Sequence, residues 1–289
     1  MSIVYLNGEF LPVEEARVSV MDRGFIFGDG VYEVIPVYGG RLFRLEQHLQ
    51  RLARSLAEIR LTNPLSSDEW RQCLQHVVQR NGEGDQSVYV QVTRGTAPRD
   101  HAFPKEVRPT VYAASSVLKP LTAELVEHGV AAISLPDIRW QRCDIKAITL
   151  LPNILLRQQA IDQGAVEAIL VRDGQVNEGA ASNVFIVKDS VLITPPKGPF
   201  LLPGITRDLI LELAAAHAIA NREAVISAQD LMDAEEIWLT SSTREILPVT
   251  RLDNRMVGPG KPGPTWRKMM NLYQDYKQRV RDGKEPSAA

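Results

Sequence analysis

The chain opens with short apolar runs broken by turn residues, the pattern of paired strands. Residues 3–13 (IVYLNGEFLPV) set Asn7-Gly8 between two such runs. Asn-Gly is the strongest short hairpin signal, because both turn positions need positive φ. A second hairpin is expected over 31–45 (VYEVIPVYGGRLFRL), turning at Gly39-Gly40. The period then lengthens. Leu45, Leu49, Leu52, Leu56 and Ile59 are spaced as one buried stripe and predict a helix from Leu45 to Ile59. Another helix is expected over 67–80, with Ser66 or Ser67 as its cap and Asn81-Gly82 as its stop. Segments 87–94 and 110–117 read as strands.

The second half is richer in strands. Strands are expected at 129–135, in a hairpin over 166–177 around Asp173-Gly174, within 183–194 and at 235–240. Helices are expected at 150–163, at 205–218 behind Pro203-Gly204, and at 264–280. These elements divide into an α+β domain over 1–118, a linker Lys119-Pro120-Leu121-Thr122, and a β-rich α/β domain over 123–282, with a loose tail from 283 to 289. Lys268, Lys277, Arg279, Arg281 and Lys284 tint the end of the chain basic, as a solvated helix face or a binding patch.

Composition narrows the function classes. The chain has 289 residues, 33 Lys and Arg against 35 Asp and Glu, and a net charge of -2. A length of this size suits two domains with their own cores. Without a cationic excess there is little counterion release to drive nucleic-acid binding. No run reaches the ~18–20 apolar residues of a membrane span. Glu9, Glu14, Glu15 and Arg17 leave no apolar stretch for a secretory signal. Cys73 and Cys143 form neither a disulfide framework nor a metal-spaced pair, so reduced thiols in a cytoplasmic protein are expected. No zinc spacing, dinucleotide fingerprint, P-loop or nucleophile elbow is present, and no metal is expected.

Three segments stand out chemically. Lys146 lies between Ile145 and Ala147 in an apolar stretch. Desolvation there lowers an amine's pKa, and a neutral amine forms a Schiff base with an aldehyde. A lysine snorkelling from a strand end has the same sequence. Glu178 stands before the small residues Gly179 to Ser182, which either let backbone approach a flat ligand or make a β-bulge. Segments 201–208 (LLPGITRD) and 239–245 (LTSSTRE) offer a helix start and a hydroxyl run. Both suit a phosphate, and both suit plain helix capping. Taken together, the three point to a phosphorylated aldehyde cofactor.

The order of motifs resembles the fold-type IV (class IV) pyridoxal-phosphate aminotransferases, with the D-amino acid aminotransferases as the nearest branch. The likeness runs from about residue 3 to 280 through DRGFIFGDGVYEV (22–34), LEQHLQRL (45–52), VTRGTAPRDHAFP (92–104), RWQRCDIKAITLLPN (139–153), NEGAASNVF (177–185), LLPGITR (201–207) and LTSSTREI (239–246). It implies an α+β, two-domain homodimer with pyridoxal 5'-phosphate in the cleft between the domains. It also implies reversible transfer of an amino group from a D-amino acid, of D-alanine or D-glutamate type, to a 2-oxo acid such as 2-oxoglutarate or pyruvate.

Roles follow from the resemblance alone. Lys146 is the Schiff-base and proton-carrying lysine, and Glu178 faces the pyridine nitrogen. Arg51 grips the phosphate, although the stripe by itself would put it on a solvated face. Ile205, Thr206, Ser241 and Ser242 complete the phosphate cup, and Leu202 flanks the cofactor. Tyr32, Arg99 and His101 trap the substrate carboxylate, with the Arg99 and His101 loop coming from the neighbouring subunit. Ala180 and Ala181 depart from the serines of many relatives, and Arg244 is a long cation beside the hydroxyl run. A branched-chain L-amino acid aminotransferase, an aminodeoxychorismate lyase and an (R)-amine transaminase on the same fold remain alternatives.

Overall fold

A computed structural model describes residues 2–284. The tail expected to be loose falls outside them beyond Lys284. The chain divides into two compact units. Unit 1 comprises Met1–Lys119, Ile145–Thr149 and the chain from Lys277 on, and unit 2 comprises Pro120–Asp144 and Leu150–Tyr276.

Unit 1 holds strands β1 (Ile3–Leu6), β2 (Glu9–Pro12), β3 (Gly30–Tyr38), β4 (Arg41–Leu42), β5 (Gln86–Thr93) and β6 (Thr110–Val117), with helices α1 (Arg23–Phe27), α2 (Leu45–Glu58) and α3 (Ser67–Arg80). Among the described residues the strands form one antiparallel sheet in the order β2-β1-β6-β5-β3-β4. Both expected hairpins are present, with Asn7 and Gly8 at φ 51° and 103° and Gly39 and Gly40 at 57° and 75°. The α2 stripe packs Leu49, Leu52 and Leu56 against Val31, Ile35, Val88 and Val90 of the sheet. Ser66 and Glu69 close a reciprocal capping box at the start of α3.

Unit 2 holds α4 (Ala123–His128), β7 (Val130–Pro136), α5 (Leu151–Asp162), β8 (Glu167–Arg172), β9 (Gln175–Gly179), β10 (Asn183–Lys188), β11 (Val191–Thr194), α6 (Ile205–Ala216), β12 (Asn221–Glu223), α7 (Ala228–Met232), β13 (Glu236–Ser241), β14 (Glu245–Leu252), β15 (Arg255–Met256) and most of α8 (Pro264–Arg281). Its mixed sheet runs β12-β11-β10-β13-β14-β7-β8-β9, with β15 on β14. Parallel pairs occur at β11/β12, β14/β7 and β7/β8. No helix among the described residues is long and apolar enough to cross a membrane.

Two differences from the sequence reading matter for the site. Lys146 belongs with unit 1, although unit 2 flanks its segment on both sides. The Tyr32 N–H donates to the Lys146 carbonyl at 2.9 Å, the Ile148 N–H donates to the Gly30 carbonyl at 3.1 Å, and Ala147 bridges Val31. Ile145 is buried in the unit 1 core. The basic end is also not simply solvated. Lys277 is buried with its ammonium 4.5 Å from the Tyr38 ring centre, and Arg281 pairs with Asp85.

Candidate active site

Lys146 leaves the strands altogether and sits in an irregular segment pinned by those backbone bonds. Its own N–H donates to Ser55 Oγ of α2 at 3.2 Å. The side chain is half-buried, with Nζ 4.3 Å from the centre of the Tyr32 ring. This pinned placement replaces the snorkelling reading: the backbone is fixed at both neighbours, and an aromatic face holds the amine by cation–π attraction.

Arg51 is buried, against the expectation of a solvated face. β3 supplies the reason, because Glu33 turns inward one residue after Tyr32 and is fully enclosed. Arg51 grips it with a two-armed fork, Nε to Oε1 at 2.7 Å and Nη2 to Oε2 at 2.8 Å. His48, one turn earlier on α2, meets Oε2 through Nδ1 at 2.8 Å. Burial opposes ionisation of Glu33, but Arg51 and His48 outweigh it and hold the carboxyl well below the usual range. Burial lowers His48, whose Nε2 is enclosed with no hydrogen-bond partner among the described residues. Glu33 and His48 were missed in sequence. The available signal was an acid inside the apolar run VYEVIPV opposite two basic residues three apart on one helix.

Glu178 lies inside β9 rather than after it. It is buried, and Arg139 Nη1, Asn183 Nδ2 at 3.1 Å and the Leu202 N–H at 3.0 Å all donate to it. Burial pushes its carboxyl up to about 7 against the pull of Arg139. Asp137 shares that arginine, accepting from Nε at 2.9 Å. Asn183 also donates to the Leu202 carbonyl at 2.8 Å, and its Oδ1 occupies the place a Cβ on Gly204 would need.

Gly204 is the N-cap of α6 and gives it no side-chain cap, so the first-turn amides at Ile205 and Thr206 meet no capping group. Thr206 is buried. Asn183 pairs with Thr240 across β10 and β13, and β13 ends at Ser241. Ser241 and Ser242 are half-buried, while Thr240 Oγ1 is enclosed with no partner among the described residues. In unit 2, Asn183 therefore ties together Glu178, Leu202 and the Gly204 start of α6, and it pairs with Thr240 near the end of β13. Arg139 and Asn183 lay inside the quoted motifs, but nothing in their spacing gave them partners. Thr240 belongs to the hydroxyl run read as suiting a phosphate, and it lies within β13. Arg244 approaches the buried Glu167 at 3.9 Å. Ala180 is buried, and its carbonyl accepts from Asn153 Nδ2 at 2.8 Å.

Arg99 and His101 are exposed at the surface of unit 1. They meet on one ring: the Arg99 guanidinium and the His101 imidazole each lie 5.4 Å from the centre of Phe27. No group of acids, cysteines and histidines among the described residues could hold a metal ion.

Comparison with known proteins accords with this layout. Residues 30–252 match the amino-transferase class IV family. The chain is 40% identical over 272 residues to the D-alanine aminotransferase of Bacillus licheniformis, covering 94% of this chain and 96% of the relative. It is 40% identical over 278 residues to that of Staphylococcus aureus, covering 96% and 98%. The branched-chain amino acid aminotransferase of Escherichia coli superposes with a TM-score of 0.90 at 30% identity, covering 99% of this chain and 96% of that one. A branched-chain aminotransferase of Thermoproteus uzoniensis superposes with 0.86 at 29% identity, over 98% and 95%. The built supports under Lys146 and Glu178 thus stand in a chain that belongs to the class IV aminotransferases.

Proposed function

We propose that this enzyme is a D-amino acid aminotransferase using pyridoxal 5'-phosphate. The observation that carries the reading is Lys146: a half-buried amine on an aromatic face, its backbone fixed on both sides. The chain's own residues fit the cofactor. A phosphate would meet the uncapped start of α6, and Thr240 Oγ1 is a buried hydroxyl with no partner among the described residues. A carboxyl poised near neutrality at Glu178 suits a ring nitrogen that shares a proton.

When bound, the cofactor supplies an aldehyde that captures amines and a ring that accepts the electron pair left when the α-proton departs. Lys146 Nζ would hold the aldehyde and, once the substrate amine has displaced it, would carry the proton between the substrate α-carbon and the cofactor. Glu178 favours the protonated ring. Arg51, oriented by Glu33, is the phosphate arginine that the resemblance implies; in unit 2 the Ile205 and Thr206 amides and the hydroxyls of Thr206, Ser241 and Ser242 would receive a phosphate. Leu202 flanks the ring.

Tyr32, Arg99 and His101 bind the substrate α-carboxylate through a phenolic hydroxyl, a guanidinium fork and an imidazole N–H. Where that carboxylate sits decides which enantiomer turns its α-hydrogen toward Lys146. The Arg99 and His101 loop serves the partner's site in a cytoplasmic homodimer, in line with the exposure of both residues. D-alanine is a donor, as the names of the D-alanine aminotransferases suggest; D-glutamate as a second donor, and 2-oxoglutarate and pyruvate as acceptors, follow from the family resemblance.

The test mixes the reconstituted enzyme with single D- and L-amino acids and follows the visible band of the bound cofactor. D-alanine and D-glutamate should discharge it, and 2-oxo acids should restore it. Discharge by branched-chain L-amino acids alone would replace this reading with the activity named for the solved relatives. Hydride reduction followed by peptide mapping should place the adduct on Lys146.

A further inference from the structure

The motif DRGFIFGDG (22–30) has no part in the chemistry above, yet the structure builds it tightly. Asp22 caps α1, with Oδ1 accepting from the Gly24 N–H at 2.7 Å and from Thr93 Oγ1 at 2.7 Å, and Oδ2 from Thr110 Oγ1 at 2.6 Å. Arg23 is only 4% exposed. Its Nε donates to Asp29 Oδ2 at 2.8 Å. Its Nη1 donates to the Asp100 carbonyl and, at 3.3 Å, to the Ala102 carbonyl. These are the carbonyls on either side of His101.

Asp29 also takes both arms of Arg94, at 2.8 and 3.0 Å. Burial opposes its ionisation, but the two arginines outweigh burial and keep Asp29 a carboxylate. Arg94 in turn lies 3.7 Å over the Phe103 ring, at the far end of the same loop. Phe27, the last residue of α1, carries Arg23 at 4.8 Å and both Arg99 and His101 at 5.4 Å. A loop with exposed side chains is therefore fixed from beneath by a buried fork, an ion pair and a shared aromatic shelf.

We propose that Arg23, anchored on Asp29, is a positioning residue that holds the 99–102 loop in the geometry that receives the substrate carboxylate. This rests on reading Arg99 and His101 as the carboxylate ligands. The physical argument is preorganisation. A loop already ordered in the free enzyme loses little conformational freedom on binding, so the ligands' full attraction appears as affinity. Arg23 bonds to main-chain carbonyls and so fixes the loop whatever its side chains do. Lysine lacks the rigid fork that reaches Asp29 and two carbonyls at once.

The experiment compares Arg23→Ala and Arg23→Lys with the parent holoenzyme. In Arg23→Ala the KM for D-alanine should rise about tenfold or more while kcat stays within about twofold. The visible band and affinity of bound pyridoxal phosphate should not change. Amide exchange should quicken in the peptide spanning 96–104 and stay constant in α2. Arg23→Lys should fall between the two, and it carries the test alone if the alanine variant does not fold. An unchanged KM, a loss of cofactor in step with activity, or failure of both variants to fold overturns the proposal. Arg99→Ala and His101→Ala separate the two readings. If neither raises KM, the carboxylate assignment itself fails; if they do and the Arg23 variants do not, only the positioning role fails.

Discussion

Glu33 of unit 1 and Glu178 of unit 2 are equally hidden from water, yet they titrate in opposite directions. Glu33 accepts from both arms of an arginine and meets a histidine, and its carboxyl falls. Glu178 shares one arginine with Asp137 and otherwise accepts only neutral N–H groups, and its carboxyl rises to about 7. Burial alone therefore does not decide protonation; the cationic partners set against it do. The proposed roles follow. Glu33 is a permanent anchor that orients Arg51, whereas Glu178 is free to trade a proton with a ring nitrogen.

Four changes bear on that contrast. Lys146→Ala should lower turnover by about a thousandfold or more, because it removes covalent anchor and proton carrier together, with Glu33 and Glu178 untouched. Steady-state rates check this, and a fully active variant would break the assignment at its root. Glu178→Gln should slow the chemical step by about a hundredfold or more while the cofactor stays bound, as single-turnover kinetics and the visible band would show. Glu33→Gln should act on folding instead. It strands the buried Arg51 charge and should cost about 3–5 kcal/mol in denaturant unfolding. Arg139→Ala is the finest probe: removing the group that lowers Glu178 should raise its midpoint further above 7, read by carboxyl infrared bands of the apoprotein.

The pH dependence of apoprotein stability carries the same signature. Glu178 rises on folding, so the folded state holds the extra proton between about 4.3 and the folded value. Its contribution should decline as pH climbs through that window. Glu33 falls on folding, so its contribution is complete above about 4.3 and is lost on acidification. Denaturant midpoints of Glu33→Gln and Glu178→Gln against pH would separate the two slopes.

Local rules made much of the fold legible. The Asn7-Gly8 and Asp173-Gly174 hairpins and the α2 stripe came out as read, because turn chemistry and period are written within a few residues. Strand β14 escaped notice because Pro248 sits inside it and weakens the strand pattern, although a long ladder with β13 holds it. Short helices such as α1 and α7 fall below the length at which a period shows. In the candidate site, motif order is what singles out Lys146 and Glu178. The partners of Arg51 were not legible, since Glu33 reaches it only after β3 and α2 pack, and the same holds for Asn183 against Gly204. Long-range pairing has no trace in spacing.

The position of Ile145–Thr149 bears on how the molecule is made. This short stretch belongs to unit 1 although Pro120–Asp144 of unit 2 is synthesised before it, and the chain from Lys277 on joins unit 1 later still. Residues up to Lys119 emerging from the ribosome would carry an unfilled slot beside Val31 and Gly30 until the lysine segment arrives. An N-terminal fragment cut at Lys119 should therefore be a poor folder, since it lacks both the lysine segment and the C-terminal piece of unit 1.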